Sequence, residues 1–299
     1  MTSELILNSF RNKGYLLGFG LRTLSAIDPL IETYLISLFV KILENNPNFN
    51  FIVWLIIAFF INRVVGNFLR GGGKTIMSNF LETVIIELEE RLVYFIDPRV
   101  KDRKAEIQAI RNLTQSLKRF SEYMKDVGIE SIVSLFVIPG ILFFVDFNIF
   151  LFTAGFLIIH FSITIFVSNK YEQDYEKFDA STENYYGKLQ DSNEILKEAN
   201  IVKKSIHRVQ KVAFYMWEIL QNTSAIYIAL VILVVILEIM QGNRKISHLV
   251  LIYGYIKTLN LTIMQVSTLF SSVMEIKAGK IRLFKALTRD KQTKPSTLV

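Results

Sequence analysis

The 299-residue chain contains no cysteine, which excludes disulfides and thiolate-held metal sites. Its three histidines, His160, His207 and His248, are too scattered for a metal-ligand motif, so no metal site is expected. The net charge of +7 is not gathered into a basic patch, because Lys and Arg alternate with acids, and this argues against a nucleic-acid partner. Residues 1–23 lack the continuous apolar core and small-residue cleavage site of a signal peptide. No carboxylate pair, His–acid set or Ser–His–Asp set has a spacing that proposes catalysis, so the chain is not expected to be an enzyme. The nearest approach to a phosphate loop is Gly71-Gly72-Gly73-Lys74-Thr75. A P-loop needs a further glycine at position 68, which is Phe68, and a strand before it, where an apolar span stands instead. The glycine run is therefore read as a flexible kink at the end of that span.

Apolar residues, by contrast, are abundant. They make up 51% of the chain and gather in blocks, the mark of a membrane protein. Six blocks have about the ~20 residues needed to cross a bilayer: 24–43, 51–69, 129–145, 149–168, 219–240 and 247–270. Before them, residues 1–23 place Arg11, Lys13 and Arg22 among apolar side chains and read as an amphipathic helix on the membrane surface. Residues 288–299 read as a polar tail. The connectors after the first and third spans are short and carry no Lys or Arg, whereas those after the second and fourth are long and rich in both. The positive-inside tendency then places both termini and both long connectors in the cytoplasm, or its equivalent in an organelle. Arg244 and Lys245, in the turn between the last two spans, run against that rule.

The long connectors are patterned. In the first, Met77, Phe80, Val84, Leu88 and Leu92 recur at helical spacing, as do Ile110, Leu113, Leu117, Phe120 and Met124 beyond a turn at Tyr94-Phe95-Ile96-Asp97-Pro98-Arg99. In the second, Phe178, Tyr185, Leu189, Leu196 and Ala199 can share a helical face, with Gly187 as a turn. The expected architecture is all-α: six transmembrane helices whose long extensions form two helical hairpins outside the membrane.

Six spans, short outer turns and two long inner excursions resemble the transmembrane domain of ABC exporters of the fused type. Tyr94-Phe95-Ile96-Asp97-Pro98 is similar to that family's Phe-Phe-Asp-like turn in the first excursion. Gly187-Lys188-Leu189 through Lys203 is similar to the second excursion, and Met240-Gln241-Gly242 through Val250 to the entry into the last span. Ala278-Gly279-Lys280-Ile281-Arg282-Leu283-Phe284 resembles the exit, so the likeness covers residues 10–288. It implies two coupling elements that touch nucleotide-binding domains: Tyr94, Phe95, Asp97, Pro98 and Arg99 in one, Asn184, Tyr185 and Gly187 in the other. Since that family continues into an ATPase domain where this sequence ends, any ATP and Mg²⁺ are expected in a partner, with no cofactor in this chain.

Counted inward from the outer turns at ~1.5 Å per residue, Glu32, Arg63, His160 and Lys257 all fall roughly 16–20 Å deep. Asp28 lies one helical turn from Glu32 on the same face. Such residues either line a polar cavity that meets substrate or pair between helices, for instance Glu32 with Arg63 or Lys257. The leading expectation is the permease subunit of an exporter-like transporter, embedded in membrane lipid, dimeric with a second copy or a related half-transporter, and coupled to a separate nucleotide-binding ATPase subunit. The alternative is a transport-inactive, exporter-like scaffold or assembly subunit of a larger membrane complex.

Overall fold

The structure, a computed structural model, describes residues 13–45, 49–94, 103–188 and 192–292. Among the described residues every regular element is helical: α1 (Lys13–Ser25), α2 (Asp28–Asn45), α3 (Phe49–Tyr94), α4 (Arg103–Tyr123), a π-helical turn (Met124–Gly128), α5 (Ile129–Val145), α6 (Phe147–Gly187), α7 (Ser192–Met240) and α8 (Ile246–Gln292). α3 has 46 residues, about 69 Å at ~1.5 Å per residue, more than twice the ~30 Å of a hydrocarbon core. The long apolar spans thus run on as single helices into the polar connectors.

Five helical stretches among the described residues are long and apolar enough to cross a membrane: Phe49–Tyr94, Lys104–Val145, Phe147–Gly187, Glu194–Met240 and Ile246–Lys285. The chain is an integral, multi-pass membrane protein. The first expected span, 24–43, is interrupted at Ala26 and Ile27, where the backbone N–H groups reach back three residues to Thr23 and Leu24 and make a tight turn between α1 and α2. α2 has 18 residues and carries Asp28, Glu32, Lys41 and Glu44, so it falls outside that apolar class.

The chain divides into two compact units. The first comprises Met1–Phe80, Met124–Ser162 and Ile219–Ser267. Its core is the meeting of α5, α6, α7 and α8 through Ile138 and Leu142, Ile149 and Phe156, Val231 and Val235, and Ile256 and Leu259. Phe156 and Tyr227 stack at 4.0 Å between ring centroids, and the Tyr227 hydroxyl lies 2.6 Å from Thr153 Oγ1, which satisfies the phenol inside an apolar core. Glycine sets the closest crossings. A Cβ at Gly254 of α8 would stand 2.4 Å from Thr33 Cγ2 on α2, and one at Gly73 of α3 would stand 2.9 Å from the Gly18 carbonyl oxygen on α1. The glycine run 71–73 is therefore no break in α3, and at Gly73 it is the place where α1 crosses.

The second unit comprises Leu81–Tyr123, Ile163–Glu218 and Thr268–Val299. The stripes expected in the first long connector meet here: Ile110 and Leu113 of α4 pack with Leu92 of α3 and with Leu283 of α8. Phe178 of the second connector joins Tyr171, Tyr175, Val209 and Ala278. Leu196 does not share that face; at 74% exposure it points away from the packed stripe of α7. Leu189 lies outside the described residues.

Candidate functional site

Of the two expected coupling turns, Phe95, Asp97, Pro98 and Arg99 lie outside the described residues. Tyr94 is the last residue of α3 and is 87% exposed. In the other turn Asn184, Tyr185 and Gly187 form the last turn of α6. The Asn184 carbonyl accepts the Lys188 N–H at 3.1 Å, and the rings of Tyr185 and Tyr186 meet edge to face at 5.4 Å. Lys188 Nζ then reaches Glu194 at 2.5 Å and Glu198 at 3.5 Å, tying the end of α6 to the start of α7. Both helix ends belong to the second unit.

The mid-span ionisable residues separate into a paired set and two residues that stand apart. Arg63 Nη1 lies 3.1 Å from Glu32 and 3.9 Å from Asp28, so the pair suggested by spacing is present. The set is larger than the sequence suggested. Arg70 Nη2 stands 3.5 Å from Asp28, and its Nε 2.9 Å from Glu130 of α5. Arg22 of α1 lies 2.7 Å from Glu130, and Lys74 lies 2.9 Å from Asp126 in the π turn. Arg22 also donates to the Asp126 carbonyl, and Asn62 Nδ2 donates to Asp28 Oδ1 at 2.7 Å. The result is an alternating ladder in which Arg22, Arg63, Arg70 and Lys74 balance Asp28, Glu32, Asp126 and Glu130, with no net charge. Arg22 is fully buried, which only such neutralisation permits. Gly66 makes room for it, since a Cβ there would stand 2.4 Å from the Asp28 Cγ. One signal was legible beforehand: Arg63, Arg70 and Lys74 recur at seven and four, one face of a helix.

His160 and Lys257 are not part of the ladder. His160 is fully buried in α6, with Nε2 3.2 Å from Ser267 Oγ. Lys257 is exposed on α8 and, among the described residues, makes no ion pair.

In the turn between α7 and α8, one of the two basic residues that run against the positive-inside tendency is paired, while Lys245 donates to Asn45 Oδ1. Arg244 Nη2 lies 2.7 Å from Asp146 and its Nε pairs with Glu238, so its charge is neutralised where it stands. Asp146 has a second task, its Oδ1 accepting the N–H groups of Asn148 and Ile149 at 3.1 Å and capping α6.

A further polar network lies in the second unit. On α6, Glu172, Glu176, Asp179 and Glu183 recur at four, three and four and form an acidic face. α8 opposes it with bases: Lys277 lies 2.8 Å from Glu172, Arg282 2.6 Å from Glu183, and Lys285 pairs with Glu176. Tyr171 donates to Glu275 at 2.7 Å and Arg119 donates to Tyr175 at 3.1 Å. Asp179 is 2% exposed. Burial, with Glu183 and Glu275 nearby, pushes its carboxyl up to about 7 against the opposing pull of Arg282 and Arg119. Burial and Glu275 likewise raise the Tyr171 hydroxyl above the ordinary phenol range.

No family model matches the sequence, and no curated protein matches it. Its fold does have a solved counterpart: a bacterial structure described as an Atm1-family ABC exporter with ATP bound, with a TM-score of 0.78 over 95% of this chain at 12% identity. The fold is that of an ABC exporter's transmembrane region. At that identity the likeness is one of backbone architecture, and this chain spans about half of that exporter, 54% of its length.

Proposed function

We propose that this chain is the membrane-spanning permease subunit of an exporter-like transporter, paired with a second copy or a related half, and driven by ATP hydrolysis in a nucleotide-binding subunit. The observation that carries this reading is the exporter-like fold along 95% of the chain. Two features support it. The helix ends at Tyr94 and at Asn184–Gly187 belong to one compact unit that is built outside the apolar spans, a body suited to receive force from a partner. The acid–base seam of α6 and α8 makes that body stiff enough to turn as a piece, so that closure of the ATPase partner tilts whole helices and alternates access to a cavity between the spans.

The test is purification of the intact protein from its own membrane. An ATPase subunit co-elutes, and ATP turnover by the complex falls at least tenfold when Tyr94, Phe95, Asp97, Pro98 and Arg99 are replaced by a Gly-Ser run. Co-elution with a large assembly that holds no ATPase supports instead the scaffold reading.

A further inference from the structure

The four ionisable side chains near mid-span leave the sign of the cargo's charge open when read from sequence, because acids and bases share one depth. The structure sorts those side chains into matched and unmatched charges. Glu32 is matched by Arg63 at 3.1 Å, and Asp28 by Arg70 at 3.5 Å and Arg63 at 3.9 Å. His160 is enclosed and bonded to Ser267. What is left over is Lys257, exposed and without an ion pair among the described residues.

Lys257 stands on a definite stripe. Tyr253, Lys257 and Leu261 follow one another at intervals of four along α8, with Tyr253 44% and Leu261 56% exposed. The opposite face of the same helix, Ile252, Ile256, Leu259 and Ile263, is at most 1% exposed and belongs to the core. The stripe therefore looks away from its own bundle. An ammonium halfway along an apolar span is costly against acyl chains, too deep to snorkel easily to either surface, and is retained where it meets water, an anion or an acid. The lipid-suited surface of the first unit has a different character: on α3, Trp54, Phe60 and Ile61 are 68%, 66% and 55% exposed and wholly apolar apart from the indole N–H.

We propose that Tyr253, Lys257 and Leu261 form a cargo-binding face of the translocation pathway, selective for an organic anion bearing a carboxylate, sulfonate or phosphate. The ammonium supplies the charge, the Tyr253 hydroxyl can donate to the same oxyanion, and Leu261 meets the apolar part of the molecule. In a symmetric pair the two copies contribute two such cations to one pathway. This inference rests on the reading of the chain as a permease, since it takes the stripe to line that pathway.

The absence of cysteine makes the test clean, because a single introduced thiol is the only one present. Full-length Tyr253→Cys protein, reconstituted in vesicles, is treated with an anionic sulfonate-bearing methanethiosulfonate and with a cationic trimethylammonium analogue. The anionic reagent reacts faster relative to its rate on free thiol. The further substitution Lys257→Gln lowers the anion-to-cation rate ratio about sevenfold, as expected for one unit charge about 7 Å away acting through water on reagents of opposite sign. Leu261→Cys, on the other side of Lys257, gives the same pattern. Naphthalene-1-sulfonate slows the labelling at matched ionic strength, whereas naphthyltrimethylammonium does not. Thiols that stay unlabelled place the stripe against lipid or a partner helix and overturn the proposal. So does a rate ratio indifferent to Lys257, as when an acid of a second copy neutralises it, and so does equal protection by the two naphthyl probes. These readouts need no ATPase, so a failure here leaves the co-elution test standing, and a failed co-elution leaves the electrostatics of this face measurable.

Discussion

At the scale of single residues, glycine and buried charge decide how closely the helices approach. Gly66 and Gly254 are places where an added methyl would stand 2.4 Å from a neighbour, whereas at Gly140 and Gly155 nothing lies within 4 Å. Gly66→Ala and Gly254→Ala are expected to destabilise by about 1–3 kcal/mol through overpacking. Gly140→Ala and Gly155→Ala should leave the unfolding midpoint in detergent unchanged or slightly raised, since alanine is the better helix former. All four glycines read alike in the sequence, each a small residue in an apolar span, because what opposes a glycine belongs to another helix. Arg22 is the sharper case. Its side chain is fully buried against Glu130, and Arg22→Gln leaves Glu130 with Arg70 as its remaining ionic partner. A loss of about 3 kcal/mol is expected, visible as a lower folded yield, with partial recovery in the double variant that also carries Glu130→Gln.

At the scale of elements, the α6–α8 seam of the second unit is heavily charged, and its ion-paired acids Glu172, Glu176 and Glu183 all belong to α6. Exposed pairs such as Lys277–Glu172 contribute little individually. The buried carboxyl of Asp179 matters more, because burial raises it to about 7 from an ordinary value of 3.8. A carboxyl raised by folding contributes stability that is fully present below its unfolded value and is lost as pH rises through the folded one. The intact protein should therefore lose stability between about pH 4 and pH 7, by up to about 4 kcal/mol from this group. Asp179→Asn should flatten that slope and be the more stable form at about pH 8, as read by thermal unfolding across the pH range. The acidic face itself was visible as a spacing of four, three and four. Its burial was not, because nothing along α6 states that α8 lies against it.

At the scale of the whole molecule, two compact units are built from helices that pass from one into the other. On the proposed permease reading, the spans hold the pathway and the extensions receive force. If the extensions act as a body, joining Glu172→Cys to Lys277→Cys with a flexible bifunctional methanethiosulfonate, in place of the two long side chains whose heads meet at 2.8 Å, should leave ATP-driven turnover of the complex within about twofold of the unlinked variant. Turnover that collapses on cross-linking and returns on reduction would show that α6 and α8 separate during the cycle.

The sequence by itself determined the class and much of the architecture. Apolar blocks of membrane-spanning length and stripes at helical spacing are local properties of the chain, and they placed α5 at residues 129–145 and put the apolar spans of α3, α6, α7 and α8 inside those helices. The likeness to the exporter fold was legible for the same reason, through the order and spacing of several short motifs. Tertiary structure alone decided which charges meet. Glu32 and Arg63 were candidates from their shared depth, yet the ladder through Arg70, Glu130 and Arg22 depends on how α1, α2, α3 and α5 are rotated about their axes. Pairing of the acids and Arg63 in that layer leaves Lys257 as the cation without an ion pair among the described residues, a remainder that no count along the chain could supply, because an ion pair is a property of two helices and a sequence describes one residue at a time.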